Sequence, residues 1–247
     1  MRRIEIVATP DELAAAAVQK TVEAARVAIA DRGRFTLALT GGTTPEKSYA
    51  MLAADAGAID WSKTLLFTED ERDVPIDDPR SNFGMAKRTL IDHIDIPQAN
   101  VFPMVTVPGD PAGSAAAYVD LLKRLFLGDG VPVFDMIHLG MGDDGHTASL
   151  FPGHPSVGVT DRWVVSGPPG TLPPPVDRVT FTLPLINAAR QVLFVVTGEK
   201  KAQTVHEILD ENSAVDQHPA GGVSPPAGDV TWLLDQAAAS KLAGSHG

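Results

Sequence analysis

Short runs of apolar residues alternate along the chain with stretches whose apolar positions recur every three or four residues. The first pattern reads as strands buried on both faces, the second as amphipathic helices. Residues 4–7 predict a strand. Thr9-Pro10-Asp11-Glu12 then opens a helix: Thr9 suits the N-cap, Pro10 the first helical position, and Glu12 completes a capping box. Leu13, Ala17, Val22, Ala25 and Ile29 give that helix an apolar face. Residues 35–39 predict the next strand. It runs into Thr40-Gly41-Gly42-Thr43-Thr44-Pro45, and a helix N-capped by Thr44 follows through Met51 and Leu52. Residues 65–68 predict a short strand, 82–91 and 112–127 helices, and 133–139 a strand that ends in a glycine-rich loop. Strands follow at 179–183, 192–197 and 230–234. A helix over 200–209 separates the last two, and 236–242 reads as a terminal helix.

Strands alternating with helices predict an α/β fold: a mainly parallel, Rossmann-like sheet flanked by helices. The 247 residues fit a single domain over 1–247, with room for a small subdomain. Two proline-rich stretches, 167–175 and 219–228, read as surface loops, because proline continues neither a helix nor a central strand. Sheets of this kind bind ligands at the carboxyl ends of their strands. Each unusual motif follows a predicted strand, so the motifs are expected to converge on one edge.

Composition narrows the partners. A net charge of −11 argues against general nucleic-acid binding. It also means that a site for an anionic metabolite must gather its cations locally. Cysteine is absent, which excludes disulfides, thiolate metal sites and a thiol nucleophile, and fits a reducing, cytoplasmic setting. The opening Met1-Arg2-Arg3-Ile4-Glu5-Ile6-Val7 reads as a strand rather than a signal peptide. No apolar run reaches the ~18 residues of a membrane span.

Five segments carry candidate chemistry. In the first, Gly41 and Gly42 let the backbone approach a ligand, Thr43 and Thr44 add hydroxyl donors, and the following helix start favours a phosphate. In the second, Thr68-Glu69-Asp70-Glu71-Arg72-Asp73-Val74-Pro75 with Ser81-Asn82, a single arginine stands among acids. The Arg72 guanidinium suits a carboxylate, a phosphate or a developing oxyanion, and Asp70 and Glu71 either hold it or act as bases. The third is Gly140-Met141-Gly142-Asp143-Asp144-Gly145-His146-Thr147-Ala148-Ser149-Leu150-Phe151-Pro152. A histidine in such a loop at a strand end is free to face a cleft, and its pKa of about 6.5 suits general acid–base work. The fourth is Arg178 with Asn187, and the fifth Thr197-Gly198-Glu199-Lys200-Lys201-Ala202, where a lysine at a strand-to-helix junction can hold a phosphate.

Rival readings of these residues are weaker. Gly140 to Gly145 matches G-x-G-x-x-G, but Asp143 and Asp144 would repel a pyrophosphate and Pro152 interrupts the helix a dinucleotide site needs. His138 reads as a core or edge residue, and His93, His206, His218 and His246 have no telling context. His154 and His146 lack metal-ligand spacing, so neither a metal nor another cofactor is expected.

Together the segments resemble the 6-phosphogluconolactonase family, over nearly the whole chain and in the family's order. The run from Gly142 to Pro152 is the most specific piece. Thr40 to Pro45 is similar to the family's phosphate loop, which more often has serine before its glycines and at the Thr43 position. Asp70-Glu71-Arg72, Val74-Pro75, Ser81-Asn82, Arg178 to Asn187, Thr197-Gly198, Lys201-Ala202 and Trp232-Leu233-Leu234-Asp235 also fit. The resemblance implies a sugar-isomerase-like fold shared with glucosamine-6-phosphate deaminases. It implies hydrolysis of 6-phospho-D-glucono-1,5-lactone in the oxidative pentose phosphate pathway. The deaminases typically carry tyrosine where Arg72 stands and Ile-Ala-Phe-Asn-Glu after the histidine, so this chain sides with the lactonases.

On that resemblance, His146 is expected to activate water and then return the proton. Arg72 binds substrate and steadies charge, and Asp70 orients Arg72 or a sugar hydroxyl. Gly41, Gly42, Thr43 and Thr44 cradle the phosphate with Arg178 and Lys201. The expected partner is a small phosphorylated sugar lactone, with no nucleic acid and no membrane, the protein being a monomer or weak homo-oligomer. Three readings compete: an amino-sugar-phosphate deaminase, a nicotinamide-dependent oxidoreductase, and a non-catalytic sugar-phosphate sensor.

Overall fold

A computed structural model describes residues 1–127, 130–170 and 175–244. Its centre is a seven-stranded parallel sheet: β1 (Arg2–Val7), β2 (Phe35–Leu39), β3 (Thr64–Thr68), β5 (Val101–Phe102), β6 (Met136–Leu139), β9 (Gln191–Val196) and β10 (Asp229–Asp235), in the spatial order β1-β10-β9-β6-β2-β3-β5. A small antiparallel sheet, β4 (Asp70–Arg72), β7 (Val164–Gly167) and β8 (Arg178–Phe181), runs in the order β4-β8-β7. This is the small accessory unit for which the sequence left room.

The apolar runs explain the layering. Along β2, Phe35, Leu37 and Leu39 face one core and Ala38 the other; along β9, Leu193 and Val195 oppose Val192, Phe194 and Val196. Alternation of side chains across a strand means that a sheet covered on both sides needs apolar residues at every position. Helices α1 (Pro10–Arg32), α2 (Thr43–Ala54) and α3 (Asn82–Thr89) lie over one face. Helices α4 (Pro111–Leu125) and α6 (Ala202–Leu209) cover the other, together with the small sheet. A single turn of helix, α5 (Leu183–Ile186), follows β8. The start of α1 is as expected: Thr9 Oγ1 accepts from the Glu12 N–H at 3.2 Å, Pro10 opens the helix, and Gly33 closes it at φ +74°.

Several boundaries move. The helix predicted at 236–242 is a series of turns: the Asp235 carboxylate takes the Ala238 N–H at 2.7 Å, and a segment so short does not nucleate a helix by propensity alone. The strand predicted at 133–139 joins the sheet only at Met136. Before that point the Asp135 carboxylate bonds the Thr36 N–H and hydroxyl, each at 2.9 Å. The 200–209 helix starts at Ala202 after a tight turn over Glu199–Lys201. Strands β4, β5 and β7 fell outside the apolar pattern: β4 is Asp-Glu-Arg, and β5 has two residues. Part of the proline-rich stretch at 167–175, and His246, lie outside the described residues.

The order of strands fixes where a ligand binds. From β2 the chain moves outward through β3 and β5, then returns to β6 on the other side of β2 and moves the opposite way. This reversal leaves a crevice at the carboxyl ends of β2 and β6. Residues from all five candidate segments line it.

Candidate active site

The crevice is a cleft of about 380 Å³, and its lining includes Gly41, Gly42, Thr43, Thr44, Asp70, Arg72, His146, Arg178 and Lys201. The nine residues given catalytic or phosphate-binding roles from the sequence are therefore in one place. Lys201 lines the cleft, whereas Lys200 is exposed outside it.

The loop after β2 delivers backbone donors. Gly42, at φ +105°, is the N-cap of α2, so the helix begins at Thr43, one residue before the expected cap at Thr44. No side chain caps this end, which leaves the first N–H groups and the positive end of the helix facing the cleft. A Cβ on Gly41 would overlap the Asn82 amide, so only glycine fits there. The Tyr49 hydroxyl pins the loop's start, accepting from the Thr40 N–H at 2.9 Å and donating to its carbonyl at 3.1 Å. Thr44 and Thr197 join their loops through their hydroxyls at 3.0 Å.

The loop after β6 presents the histidine. Gly145 donates to the Gly142 carbonyl at 3.1 Å, and Gly142 to the His146 carbonyl at 2.9 Å. A Cβ on Gly142 would collide with the His146 ring and the Asp144 carboxylate. The His146 imidazole lies against Phe151, centroids 4.4 Å apart, with Nδ1 2.6 Å from Asp144 Oδ1. Partial burial works to raise the Asp144 carboxyl, but the bond and charge of His146 outweigh it and hold it below the usual carboxylate range.

The small sheet supplies the cations. Arg72 and Arg178 stand directly opposite each other on β4 and β8. Like charges in that register repel, yet the Nε atoms of both are buried without a partner. Burial lowers the Arg178 guanidinium, and the neighbouring Asp70 works against that shift. Asp70 meets Arg178, at 3.9 Å, rather than Arg72. Ser149 Oγ donates to the same Asp70 oxygen, Oδ2, at 2.6 Å, and the other oxygen, Oδ1, takes the Asn82 amide. Arg72 instead donates to the Arg80 carbonyl.

Other expectations are corrected here. Glu71 is not a base of the cleft: it caps α3, accepting from the N–H groups of Asn82 and Phe83 and from the Ser81 hydroxyl. Asn187 does not join Arg178; it ties Gly222 and Ser224 together. His154 bonds Ser156. His138 is the core residue expected, bonded to Thr21 at 2.9 Å and pushed down to about 4 by burial. His218 does have a context: it packs beneath Gly145 and lies 3.2 Å from Glu207. Ser149 and Asp235 were not singled out. Ser149 holds Asp70, and Asp235 accepts the Gly198 N–H at 3.0 Å to anchor the loop that carries Lys201. Only a three-dimensional neighbour gives either residue its meaning.

Lys201 is paired with Asp143 at 2.6 Å across the cleft mouth. Among the described residues no group of three or more His, Asp or Glu side chains is arranged to hold a metal ion, and no helix is long and apolar enough to cross a membrane.

A switch-point cleft with a helix start, opposed cations and a carboxylate-paired histidine defines an α/β protein whose cleft suits an anionic ligand. Residues 8–232 match the family model described as glucosamine-6-phosphate isomerases/6-phosphogluconolactonase, and the chain belongs to that family. The 6-phosphogluconolactonase of Synechocystis sp. is 44% identical over 87% of this chain and 88% of its own length. That of Rattus norvegicus is 41% identical over 97% and 93%. Among solved structures, the 6-phosphogluconolactonase of Trypanosoma brucei superposes with a TM-score of 0.88 at 34% identity, covering 98% of this chain and 99% of the other.

Proposed function

We propose that this protein hydrolyses 6-phospho-D-glucono-1,5-lactone to 6-phospho-D-gluconate, the lactonase step of the oxidative pentose phosphate pathway, using water activated by His146 and no metal. The observation that carries this reading is the pair of opposed arginines with unpartnered Nε atoms, beside a carboxylate-held histidine in one cleft. Such donors are satisfied by an anion, and the histidine supplies acid–base chemistry next to it.

With Nδ1–H donated to Asp144, His146 carries its lone pair on Nε2. That nitrogen takes a proton from water as the oxygen attacks the lactone carbonyl. The oxyanion so formed is met by the Arg72 and Arg178 guanidinium groups. The carbon–ring-oxygen bond then breaks, His146 returns the proton to the departing alkoxide, and the new carboxylic acid ionises at neutral pH, releasing one proton per turnover. The phosphate rests on the N–H groups and hydroxyls of residues 42–44, with Lys201 released from Asp143 to meet it. Asp70 keeps Arg178 in place or receives a sugar hydroxyl. The same reading puts the protein in the cytoplasm.

The test is acid release from freshly generated 6-phosphogluconolactone, measured above the spontaneous rate with a chelator present. Acceleration by the wild type that His146→Ala abolishes is the expected result. No acceleration would redirect the assignment to ammonia release from glucosamine 6-phosphate.

A further inference from the structure

Glu69 stands between β3 and β4, where the chain leaves the main sheet for the small one. It belongs to the cleft lining from beneath: its side chain is 0% exposed, and neither carboxylate oxygen has a hydrogen-bond partner. A buried carboxyl left unpaired is costly. The backbone does not require it, since the Glu69 N–H bonds Leu39 and its carbonyl bonds Phe181 whatever the side chain. The groups facing it are Asp70, Glu71 and Arg72 from its own segment, Arg178 from β8 and the Tyr49 hydroxyl from α2. The Thr40 hydroxyl lies alongside, outside the limits of a good hydrogen bond, and Thr40 lines the cleft.

We propose that Glu69 is a positioning residue acting through Thr40: as a neutral acid it donates to Thr40 Oγ1, which turns the Thr40 proton toward an anionic oxygen of the bound ligand. An ionised Glu69 reverses this arrangement. Thr40 then gives its proton to the carboxylate, and a further negative charge lies beneath the anion. Burial, followed by the charge of Asp70, pushes the Glu69 carboxyl well above the usual carboxylate range, in keeping with the neutral form. The inference rests on the proposed function only for the identity of the ligand.

The experiment is calorimetric binding of 6-phosphogluconate to the full chain from about pH 7, where a phosphate monoester is already close to doubly ionised, to about pH 9.5. Wild-type affinity is expected to fall at the alkaline end by up to about tenfold per pH unit as Glu69 ionises. Glu69→Gln, which keeps a donor, is expected to bind comparably at neutral pH and to flatten that decline. Thr40→Val is expected to bind more weakly and to flatten it as well. Proton uptake by the wild type, read from two buffers of different ionisation heat, gives the same answer without a variant. Parallel pH curves for wild type and Glu69→Gln, or binding without proton uptake anywhere in the range, would overturn the proposal. Lactone hydrolysis by the wild type separates the two readings. Hydrolysis with parallel binding curves removes the Glu69 role alone. Binding with the expected pH dependence but no hydrolysis removes the lactonase reading alone. No binding at any pH removes both.

Discussion

His146 Nδ1 lies 2.6 Å from Asp144 Oδ1, two residues back along the same loop. A carboxylate at one ring nitrogen fixes which tautomer is present and so which nitrogen is free to act as a base. Asp144→Asn leaves the loop's shape but removes that preference. It is expected to lower kcat by about 10²-fold or more while KM changes little, and His146→Ala by about 10²–10⁴-fold. Steady-state rates corrected for spontaneous hydrolysis, with circular dichroism to establish folding, check both. An Asp144→Asn enzyme with wild-type kcat would remove the carboxylate from the mechanism.

Gly142 makes a sharper case, because its substitution touches only geometry. A methyl group there occupies the space of the His146 ring and the Asp144 carboxylate. Gly142→Ala is expected to leave the melting temperature within a few degrees of wild type and to cost about 10²-fold in kcat, as a small misplacement of a catalytic group does. Preserved turnover would mean that the histidine works from another position.

Asp70 and Arg178 test the buried pair. Both side chains are nearly closed to water, and Ser149 bonds to each. Removing the carboxylate with Asp70→Asn leaves a buried guanidinium without its counter-charge, at a cost of about 3–5 kcal/mol. Urea unfolding at neutral pH measures it. A loss below about 1 kcal/mol would show that water or another acid already compensates Arg178.

Lys201 and Asp143 should shift KM in opposite directions. Lys201→Ala removes a phosphate contact and is expected to raise KM about tenfold, as loss of about 1.4 kcal/mol does. Asp143→Ala frees the lysine from its 2.6 Å partner and is expected to lower KM. Inorganic phosphate as a competitive inhibitor should follow the same order, and two variants moving together would mean that the ion pair itself shapes the site.

Glu69 also sets a pH dependence of stability. Its carboxyl is raised in the folded state by burial and then by Asp70, so the folded protein holds a proton that the unfolded chain releases above about pH 4.3. Stability contributed by that proton is complete below this value and falls as pH rises toward the folded pKa, by up to about 1.4 kcal/mol per unit. Glu69→Gln is therefore expected to melt higher than wild type at about pH 8, with the gap narrowing toward about pH 4. A gap independent of pH would contradict the buried-acid assignment.

The sequence reveals most where physics is local. Apolar runs such as Val192-Leu193-Phe194-Val195-Val196, short and rich in β-branched residues, read as strands buried on both faces, and glycine loops after them mark the binding edge. What stayed hidden depends on partners distant in sequence. Asp70-Glu71-Arg72 looks like a solvated acidic turn until β8 pairs with it, and only that pairing sets Arg72 against Arg178 and sends Glu71 to the start of α3. Asp70 was expected beside its near neighbour Arg72, but the contact it makes crosses to another strand. Ser149 reads as one more small loop residue until its hydroxyl is seen on Asp70.

Strand β1 has a single neighbour in the main sheet, β10, and the Met1 amino group closes the same edge by bonding Gly228 and Asp229. In chain order β1 precedes every other strand of the main sheet, yet the strand that receives it, β10, comes after all of them. Four main-sheet strands that border the cleft, β2, β3, β6 and β9, all precede β10. A nascent chain halted just before Asp229 should thus hold those four strands while its leading strand still waits, unzipped, for the last one, and the loop that carries Lys201 still lacks its Asp235 anchor.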